Sequence, residues 1–327
     1  MLKGLFLLDD FSLIYESVYR ELKSYVDVYS KPRTKEEIRE NPSLLNEADV
    51  IFSGWGCPVM DEAFLMEAPN LKIVFYGAGS VKYLVTDAFW ERGIKITSAY
   101  AANAQPVVEY TVSQILFSLK RGWYYVMKSK SNSSFPVKDW MPGGFRSTIG
   151  IVSLGMIGKK VCNMLKHFDV NVIAYDPYVS QDEAEKLGVQ LCSLEKVFSL
   201  SDVVTLHTPW LKETEGLING DLIQKMKFNA TLINTSRGAI INEREMIKVL
   251  TDRSDIFAVL DVTYPEPPEV NSPLFQLENV ILTPHIAGSL FDECQRMGEF
   301  MLEELKRYIN NEPLKWEITK DKASIMG

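Results

Sequence analysis

The chain has 327 residues, of which 46% are apolar and 24% are charged, a profile typical of a globular protein with two domains of ordinary size. It carries 35 Lys and Arg against 43 Asp and Glu, and the net charge of −8 argues against non-specific binding to nucleic acids or anionic membranes. No apolar run reaches the length of a membrane span, and the run at 5–8 is too short for a signal segment.

Strand and helix signals alternate along the first hundred residues. This alternation indicates an α/β fold with a mainly parallel sheet. An apolar stripe at helical spacing predicts a long helix over 105–121, with Pro106 in its first turn and Gly122 at its end. The following segment, 123–146, is predicted to be a surface loop or arm. The predicted strands are 5–8, 26–29, 50–53, 72–76 and 94–97.

A second alternating series begins at Ile149. Helices are expected in its gaps, including 159–168 and 242–250, and a last long helix is expected over about 290–308. The predicted strands of this series are 149–154, 170–175, 203–207, 231–234, 256–261 and 280–283.

The stretch from Ile149 to Asp176 has the pattern of a βαβ unit that holds a dinucleotide. Gly155 lets the backbone come close to a pyrophosphate, and Gly158 lets the helix pack tightly on the strand. The N–H groups at the helix start, where Met156 and Ile157 lie, would face the phosphates. Dinucleotide binding is therefore favoured over an ordinary βα turn.

Asp176 indicates which dinucleotide binds. Its carboxylate can accept hydrogen bonds from both ribose hydroxyls and would repel an additional 2′-phosphate, and no Arg follows it in Pro177 and Tyr178. NAD is thus expected rather than NADP. The first glycine of the G-x-G-x-x-G pattern is Ser153, so somewhat weakened or adjusted binding is expected at that turn.

Three further strand ends carry groups suited to carbonyl reduction. His285 follows a predicted strand and is the best candidate proton donor, with an ordinary turn histidine as the alternative. His207 is expected to be a contact residue at another strand end, and His167 to lie on the surface. Arg237 and Glu266 also follow predicted strands, although each could be a simple surface or loop residue.

The four cysteines are scattered without Cys-x-x-Cys spacing. This favours free thiols in a reducing cytoplasm and argues against a metal site. The residues are Cys57, Cys162, Cys192 and Cys294.

Several motifs together make the chain resemble the D-isomer specific 2-hydroxyacid dehydrogenases. They include ADVIFSGWG and APNLKIVFYGAGS in the first half, and LHTP, INTSRG, LDV and TPHIAGS in the second. The resemblance covers most of the chain and is strongest from 149 to 288. It implies hydride transfer between NAD(H) and a small 2-hydroxy or 2-oxo acid.

The resemblance also implies site residues. Arg237, Glu266 and His285 would be the catalytic set, with Arg237 orienting the substrate, His285 acting as acid and base, and Glu266 holding the imidazole in its protonated form. Further implied cofactor contacts are His207, Thr208, Pro209, Thr235, Asp261 and Gly288. The implied carboxylate-binding backbone consists of Ala78, Gly79 and Ser80, whose successive N–H groups would form an anion nest.

Two doubly wound parallel-sheet domains are implied by the family. A flavodoxin-like substrate domain would comprise 1–101 and 289–327, and a Rossmann NAD-binding domain would be inserted as 102–288, with the active site in the cleft and closure about a hinge. A homodimer through the NAD-binding domain, with contacts from 105–121 and 123–146, is also implied. A competing class is an NAD-responsive binding protein of the corepressor type.

The substrate itself is left open by the sequence. Trp55, Lys82 and Trp210 are candidate pocket residues. Four positions depart from the usual family residues besides Ser153, and none of them removes a catalytic group. They are Ser80, Trp210, Thr263 and Tyr264.

Overall fold

The computed structural model describes residues 1–326, which form two compact units. One unit comprises Met1–Gln105 and Ser289–Met326, and the other comprises Pro106–Gly288. Each unit is built on its own parallel sheet with helices. The predicted fold class, with two doubly wound α/β domains, is confirmed.

The first unit contains a five-stranded parallel sheet in the order β2-β1-β3-β4-β5, which is the flavodoxin-like arrangement. Its strands are β1 Leu2–Leu7, β2 Val26–Val28, β3 Val50–Ser53, β4 Ile73–Tyr76 and β5 Lys95–Ser98. Its helices are α1 Phe11–Ile14, α2 Glu16–Tyr25, α3 Lys35–Glu40, α4 Glu62–Glu67, α5 Asp87–Glu91, and, after the second unit, α13 Gln295–Ile309 and α14 Lys320–Ser324.

Both faces of this sheet are covered, and the end of β1 shows why the run from Leu5 to Leu8 is continuously apolar. Leu5 and Leu7 belong to one buried cluster, whereas Phe6 and Leu8 belong to another. Successive side chains of a strand point to opposite faces, so a strand buried on both sides is apolar at every position.

The second unit contains seven parallel strands in the order β12-β11-β10-β9-β6-β7-β8. The strand order reverses between β6 and β9, which is the topological switch point where open α/β sheets bind ligands. Its strands are β6 Thr148–Val152, β7 Asn171–Tyr175, β8 Gln190–Leu191, β9 Val203–Leu206, β10 Thr231–Asn234, β11 Phe257–Leu260 and β12 Val280–Leu282. The boundary between the units falls within helix α6, Tyr100–Leu119. The helices that follow it in the second unit are α7 Gly122–Asn132, α8 Met156–Leu165, α9 Gln181–Leu187, α10 Leu194–Leu200, α11 Gly220–Gln224 and α12 Glu243–Asp252. Short 3₁₀ turns occupy Pro42–Leu45, Gly238–Ile240, Pro273–Phe275 and Phe291–Cys294.

The helices α6 and α7 differ from the prediction. α6 begins at Tyr100 rather than at residue 105, so Pro106 lies inside the helix and not in its first turn. Residues 123–132, predicted to be a loop, belong to α7. Aromatic packing explains this helix, because Trp123 donates a hydrogen bond to Gln114 over 2.9 Å and the Tyr124 ring contacts Phe257 edge-on. Residues 134–147 have no helix or strand.

Among residues 1–326, no helix is both long and apolar enough to cross a membrane.

Gly298 tests the packing of α13 against α1. A β-carbon at this buried position would overlap the carbonyl oxygen of Ile14. A helical Gly→Ala change ordinarily stabilises by about 1 kcal/mol, but Gly298→Ala should lower the free energy of unfolding by about 1–3 kcal/mol because the backbone must shift. Urea denaturation measures the change. The neighbouring exposed residue provides the control, because Glu299→Ala should change stability by less than about 0.5 kcal/mol. A stabilised Gly298→Ala protein would contradict this packing.

Candidate functional site

The carboxyl ends of the seven parallel strands of the second unit lie along one edge of the sheet. Almost every polar residue singled out in the sequence follows one of these strand ends. They are Ser153 after β6, Asp176 after β7, His207 and Thr208 after β9, Thr235 and Arg237 after β10, Asp261 and Glu266 after β11, and His285 after β12.

His285 and Glu266 are in direct contact. The Nδ1 atom of His285 lies 2.5 Å from Oε1 of Glu266, and the two side chains remain 49% and 39% exposed. A carboxylate on Nδ1 orients the ring and leaves Nε2 as the atom available to a substrate. The imidazole of His285 is thus held by a carboxylate on one side and is open on the other.

The backbone at His285 has φ of +54°, a left-handed conformation that is uncommon for a residue with a β-carbon. Its N–H donates to the carbonyl oxygen of Asp261 over 3.0 Å. The side chain of Asp261 fixes the flanking residues: Oδ1 accepts from Ile286 N–H and Thr283 Oγ1 at 2.9 and 2.6 Å, and Oδ2 accepts from Ala287 N–H at 2.9 Å. The buried Asp261 carboxylate therefore defines the loop that carries His285.

The turn that carries Arg237 is fixed in a similar way. Asn234, fully buried at the end of β10, accepts from the N–H of Ser236 at 3.0 Å and donates to the carbonyl oxygen of Arg237 at 2.9 Å. The guanidinium Nη1 donates to the Ser236 carbonyl over 2.7 Å. A β-carbon at Gly238 would overlap the backbone of Thr263. This close approach packs the Arg237 turn against the segment that leads to Glu266.

The turn between β6 and α8 has the shape that the glycine pattern predicts. Ser153, at the position of the missing first glycine, has φ of +76°. No atom lies within 4 Å of where a β-carbon on Gly155 would stand, so the backbone there is accessible. A β-carbon on Gly158 would overlap the carbonyl oxygen of Ser153, which explains the glycine. Met156 and Ile157 open α8 with half-buried side chains, next to the first N–H groups of the helix.

Asp176 stands at the end of β7 beside this turn. Its carboxylate already accepts three backbone N–H groups, from Leu154 at 2.7 Å, Tyr178 at 2.8 Å and Val179 at 3.2 Å. A carboxylate offers about four acceptor positions. The sequence predicts that Asp176 accepts hydrogen bonds from both ribose hydroxyls. In this conformation, about one acceptor position of its carboxylate remains for a ribose hydroxyl.

His207 is buried, and its Nδ1 has no hydrogen-bond partner among residues 1–326, while Nε2 lies 3.3 Å from Thr205 Oγ1. Burial lowers the pKa of His207 from 6.5 to about 3, so the ring is neutral at ordinary pH. An unpaired buried nitrogen at the switch-point edge and the accessible backbone of Gly155 both fit a dinucleotide lying along this edge.

The remaining predicted cofactor residues take ordinary positions in the second unit. Thr235 is buried, and its Oγ1 lies 3.1 Å from Oγ1 of Thr111. The carbonyl oxygen of Pro209 accepts a hydrogen bond from the hydroxyl of Thr214. Gly288 is half-buried at the end of the unit. His167 is exposed on the surface. Among residues 1–326, no group of three or more His, Cys, Asp or Glu is placed to hold a metal ion.

The predicted carboxylate loop lies in the first unit, directly after β4. The hydroxyl of Ser98 is within hydrogen-bond distance of the carbonyl oxygens of Ala78 and Gly79, the former at 2.9 Å. Ser80 has an ordinary backbone φ, and its Oγ accepts from the N–H of Lys82 at 3.3 Å. Serine at this position therefore needs no glycine-like conformation.

Asn103 was not predicted from the sequence. Its Oδ1 accepts from the N–H of Ser289 at 2.9 Å, which leaves Nδ2 directed towards the carboxylate loop, 3.7 Å from where a β-carbon on Gly79 would stand. The available signal was one amide within the run Ala101–Ala104 of otherwise small apolar residues. Asn234 and Ser98 were missed as well, because their partners are recognisable only in three dimensions.

Two of the departures from the family pattern contact each other. The rings of Trp210 and Tyr264 pack edge to face with centroids 5.2 Å apart. Trp210 also donates to Glu215 over 3.2 Å, and the N–H of Tyr264 donates to Glu243 over 3.2 Å. The two residues follow β9 and β11, which flank β10 in the sheet, so the pair spans the strand end that carries Arg237.

The chain is similar in sequence to known proteins. Residues 114–287 match the family model described as "D-isomer specific 2-hydroxyacid dehydrogenase, NAD binding domain". The chain is 31% identical over 291 residues to D-3-phosphoglycerate dehydrogenase of Archaeoglobus fulgidus, covering 89% of this chain and 54% of that protein. It is 31% identical over 279 residues to glyoxylate reductase of Korarchaeum cryptofilum, covering 84% and 82%. The chain spans about half the length of the phosphoglycerate dehydrogenases that it matches.

Solved structures share the fold at low sequence identity. D-mandelate dehydrogenase of Rhodotorula graminis has a TM-score of 0.81 at 20% identity, covering 98% of each chain. An NAD-complexed D-isomer specific 2-hydroxyacid dehydrogenase of Lactobacillus delbrueckii has a TM-score of 0.80 at 20% identity, covering 97% of this chain and 100% of that chain.

The buried His207 should make stability depend on pH. Its pKa is lower in the folded state than the 6.5 of an exposed histidine, so the unfolded chain takes up a proton first and stability falls as pH drops below about 6.5. Between pH 7 and pH 5, the free energy of unfolding should fall by about 2 kcal/mol more in the wild type than in His207→Asn. Urea denaturation at both pH values measures this difference. His167→Asn, which changes an exposed ring, should behave like the wild type, and identical pH dependence in all three proteins would rule out the effect.

Proposed function

Because the chain belongs to the D-isomer specific 2-hydroxyacid dehydrogenase family, we propose that it transfers hydride between NAD(H) and a small D-2-hydroxy acid or the corresponding 2-oxo acid. The observation that supports this proposal most directly is the His285–Glu266 pair at 2.5 Å, on the same sheet edge as the dinucleotide turn. The relatives named phosphoglycerate dehydrogenase and glyoxylate reductase act on substrates of this class, as their names state.

NAD is the cofactor of the matched family domain, and when bound it supplies or accepts the hydride. We assign its pyrophosphate to the turn from Ser153 to Gly158, where the Gly155 backbone is accessible and the first N–H groups of α8 lie. Asp176 would accept from the adenosine ribose. The other proposed contacts are His207, Thr208, Pro209, Thr235, Asp261 and Gly288.

In the reducing direction, protonated His285 would donate a proton to the keto oxygen of the substrate, and in the oxidising direction neutral His285 would accept the hydroxyl proton. Glu266 holds the ring through Nδ1, so it would act as the orienting partner. The guanidinium of Arg237 would polarise the keto oxygen and pair with the substrate carboxylate, a role for which its planar fork of donors is suited. Asn234 sets the turn from which Arg237 reaches the substrate.

For the first unit, we propose that the N–H groups of Ala78, Gly79 and Ser80 bind the substrate carboxylate. The Ser98 hydroxyl lies against the carbonyl side of this loop, which leaves the N–H side for an anion. The Asn103 Nδ2 group adjoins the loop and would add a side-chain donor. This unit would thus be the substrate domain, and the unit Pro106–Gly288 the NAD-binding domain.

We further propose a homodimer formed through the NAD-binding unit. Several large apolar side chains on and after α7 are exposed, with Phe135 at 95%, Val137 at 91% and Phe145 at 69%. Large exposed apolar side chains gathered in one segment favour a protein interface. Sedimentation equilibrium measures the oligomeric state.

All four cysteines are free thiols, which fits a reducing compartment such as the cytoplasm.

A panel of small 2-oxo acids tests the proposed activity. Purified protein with NADH should turn over at least one member at a kcat on the order of 1–10³ s⁻¹, followed by absorbance of NADH. His285→Gln should lower kcat by about 10²–10⁴-fold, because the positioned acid is lost. NADH affinity, measured by isothermal titration calorimetry, should remain close to that of the wild type.

The exposed His167 provides the matched control, since His167→Gln should retain full activity. Unchanged kcat in His285→Gln would reject the role of His285. NADH binding with no turnover of any oxo acid would instead favour an NAD-responsive binding protein.

Asp176 should set the preference for NADH. Asp176→Ala removes the charge that repels a 2′-phosphate and also removes the acceptor of the Leu154 N–H. The affinity for NADH should therefore fall, and the ratio of NADH affinity to NADPH affinity should decrease. Asp176→Asn removes the charge but keeps an acceptor, so it separates the two effects. Calorimetric titration with both cofactors measures the affinities, and tighter binding of NADPH by the wild type would contradict this assignment.

A further inference from the structure

Ser153 is unusual because it has a β-carbon in a turn that requires a left-handed backbone. Its φ is +76°, its N–H donates to the carbonyl oxygen of Tyr175 over 2.8 Å, and its own carbonyl oxygen lies against Gly158. Residues with a β-carbon adopt such a conformation reluctantly, whereas glycine adopts it freely. The surroundings must therefore stabilise the turn in another way.

The hydroxyl of Ser153 supplies a contact that glycine could not make. Its Oγ lies 3.0 Å from Oγ1 of Thr208, a buried residue after β9. β6 and β9 are hydrogen-bonded neighbours, with Val152 paired to Leu206, and the N–H of His207 donates to the carbonyl oxygen of Val152 over 2.9 Å. The hydroxyl pair thus joins the first loops beyond two strands at the point where the strand order reverses.

We propose that the Ser153–Thr208 hydroxyl pair is a positioning device for the dinucleotide. The pair holds the Ser153 turn in the left-handed conformation that exposes the Gly155 backbone and the start of α8, and by this means it sets the affinity for NADH. The inference rests on the proposed NAD binding. It assigns the hydroxyls of Ser153 and Thr208 a joint role through each other, in addition to the contacts with the cofactor proposed above for these two residues.

Calorimetric titration of the full chain with NADH tests this proposal. Ser153→Ala keeps the unfavourable conformation but loses the hydroxyl, so NADH affinity should fall by about 3- to 10-fold, the effect of one hydrogen bond. Thr208→Val should weaken binding by a similar factor. The double variant should be no weaker than either single variant, because both remove the same interaction.

Two other single variants should bind NADH about as tightly as the wild type. Ser153→Gly removes the hydroxyl, but glycine adopts the left-handed conformation freely and does not require the hydrogen bond. The NADH affinity of this variant should therefore be within about 2-fold of that of the wild type. Thr208→Ser keeps a hydroxyl and should behave likewise. In steady-state kinetics, KM for NADH should rise in Ser153→Ala while kcat changes less than about 2-fold, a separation that general misfolding would not produce. Thr251→Val, which removes an exposed hydroxyl on α12, is the control.

Three results would overturn the proposal. Effects of Ser153→Ala and Thr208→Val that multiply in the double variant would indicate independent contacts with the cofactor. Ser153→Gly binding as weakly as Ser153→Ala would show that the hydroxyl itself meets the cofactor. Wild-type affinity in Ser153→Ala would show that the pair has no effect. Absence of NADH binding by the wild type would instead refute the proposed function.

Discussion

The buried carboxylate of Asp261 accepts hydrogen bonds from Ile286, Ala287 and the hydroxyl of Thr283, and these contacts determine the path of the chain beyond β12. A buried carboxylate is tolerated when it is paired or hydrogen-bonded, and three donors contact this one. The same contacts hold His285 at a left-handed φ of +54°. Without them, no local preference of the chain would keep the imidazole beside Glu266.

Along the sheet edge, buried polar side chains hold the loops in place, whereas the side chains that are proposed to react remain accessible. Asn234 is fully buried and holds the turn of Arg237, and Asp261 is 2% exposed and holds the loop of His285. His285 and Glu266 themselves are 49% and 39% exposed. Supporting groups that are locked by packing keep reactive groups within the narrow geometry that proton transfer requires.

The sequence predicted the fold well where burial on both faces makes a strand continuously apolar. β3 and β10 have the predicted bounds, because their apolar runs end sharply at polar residues. β8 was missed, since a strand of two residues, Gln190–Leu191, has no periodicity to detect. α7 was missed because its aromatic and serine residues favour a helix only once they pack against Gln114 and Phe257.

For the candidate site, the sequence could identify strand ends but not the contacts between them. The glycines around Ser153 and the position of Asp176 follow from a local pattern, so the βαβ unit was recognisable. Predicted strand ends singled out Arg237, Glu266 and His285 as candidates, and the family motifs grouped them as the proposed catalytic set. The partners of Asp261 lie 22 to 26 positions along the chain and those of Asn103 lie 186 positions away, so these supporting roles required coordinates.

The departures from the family pattern are explained by contacts rather than by single positions. Ser153 is accommodated through Thr208, and the large ring of Trp210 packs on Tyr264, which itself stands at a departing position. Residues in contact contribute to stability and binding non-additively, so a change at one is tolerated or favoured according to the other. In this chain, Ser153 contacts Thr208 and Trp210 contacts Tyr264, so the effect of each departure on binding depends on its partner across the sheet edge.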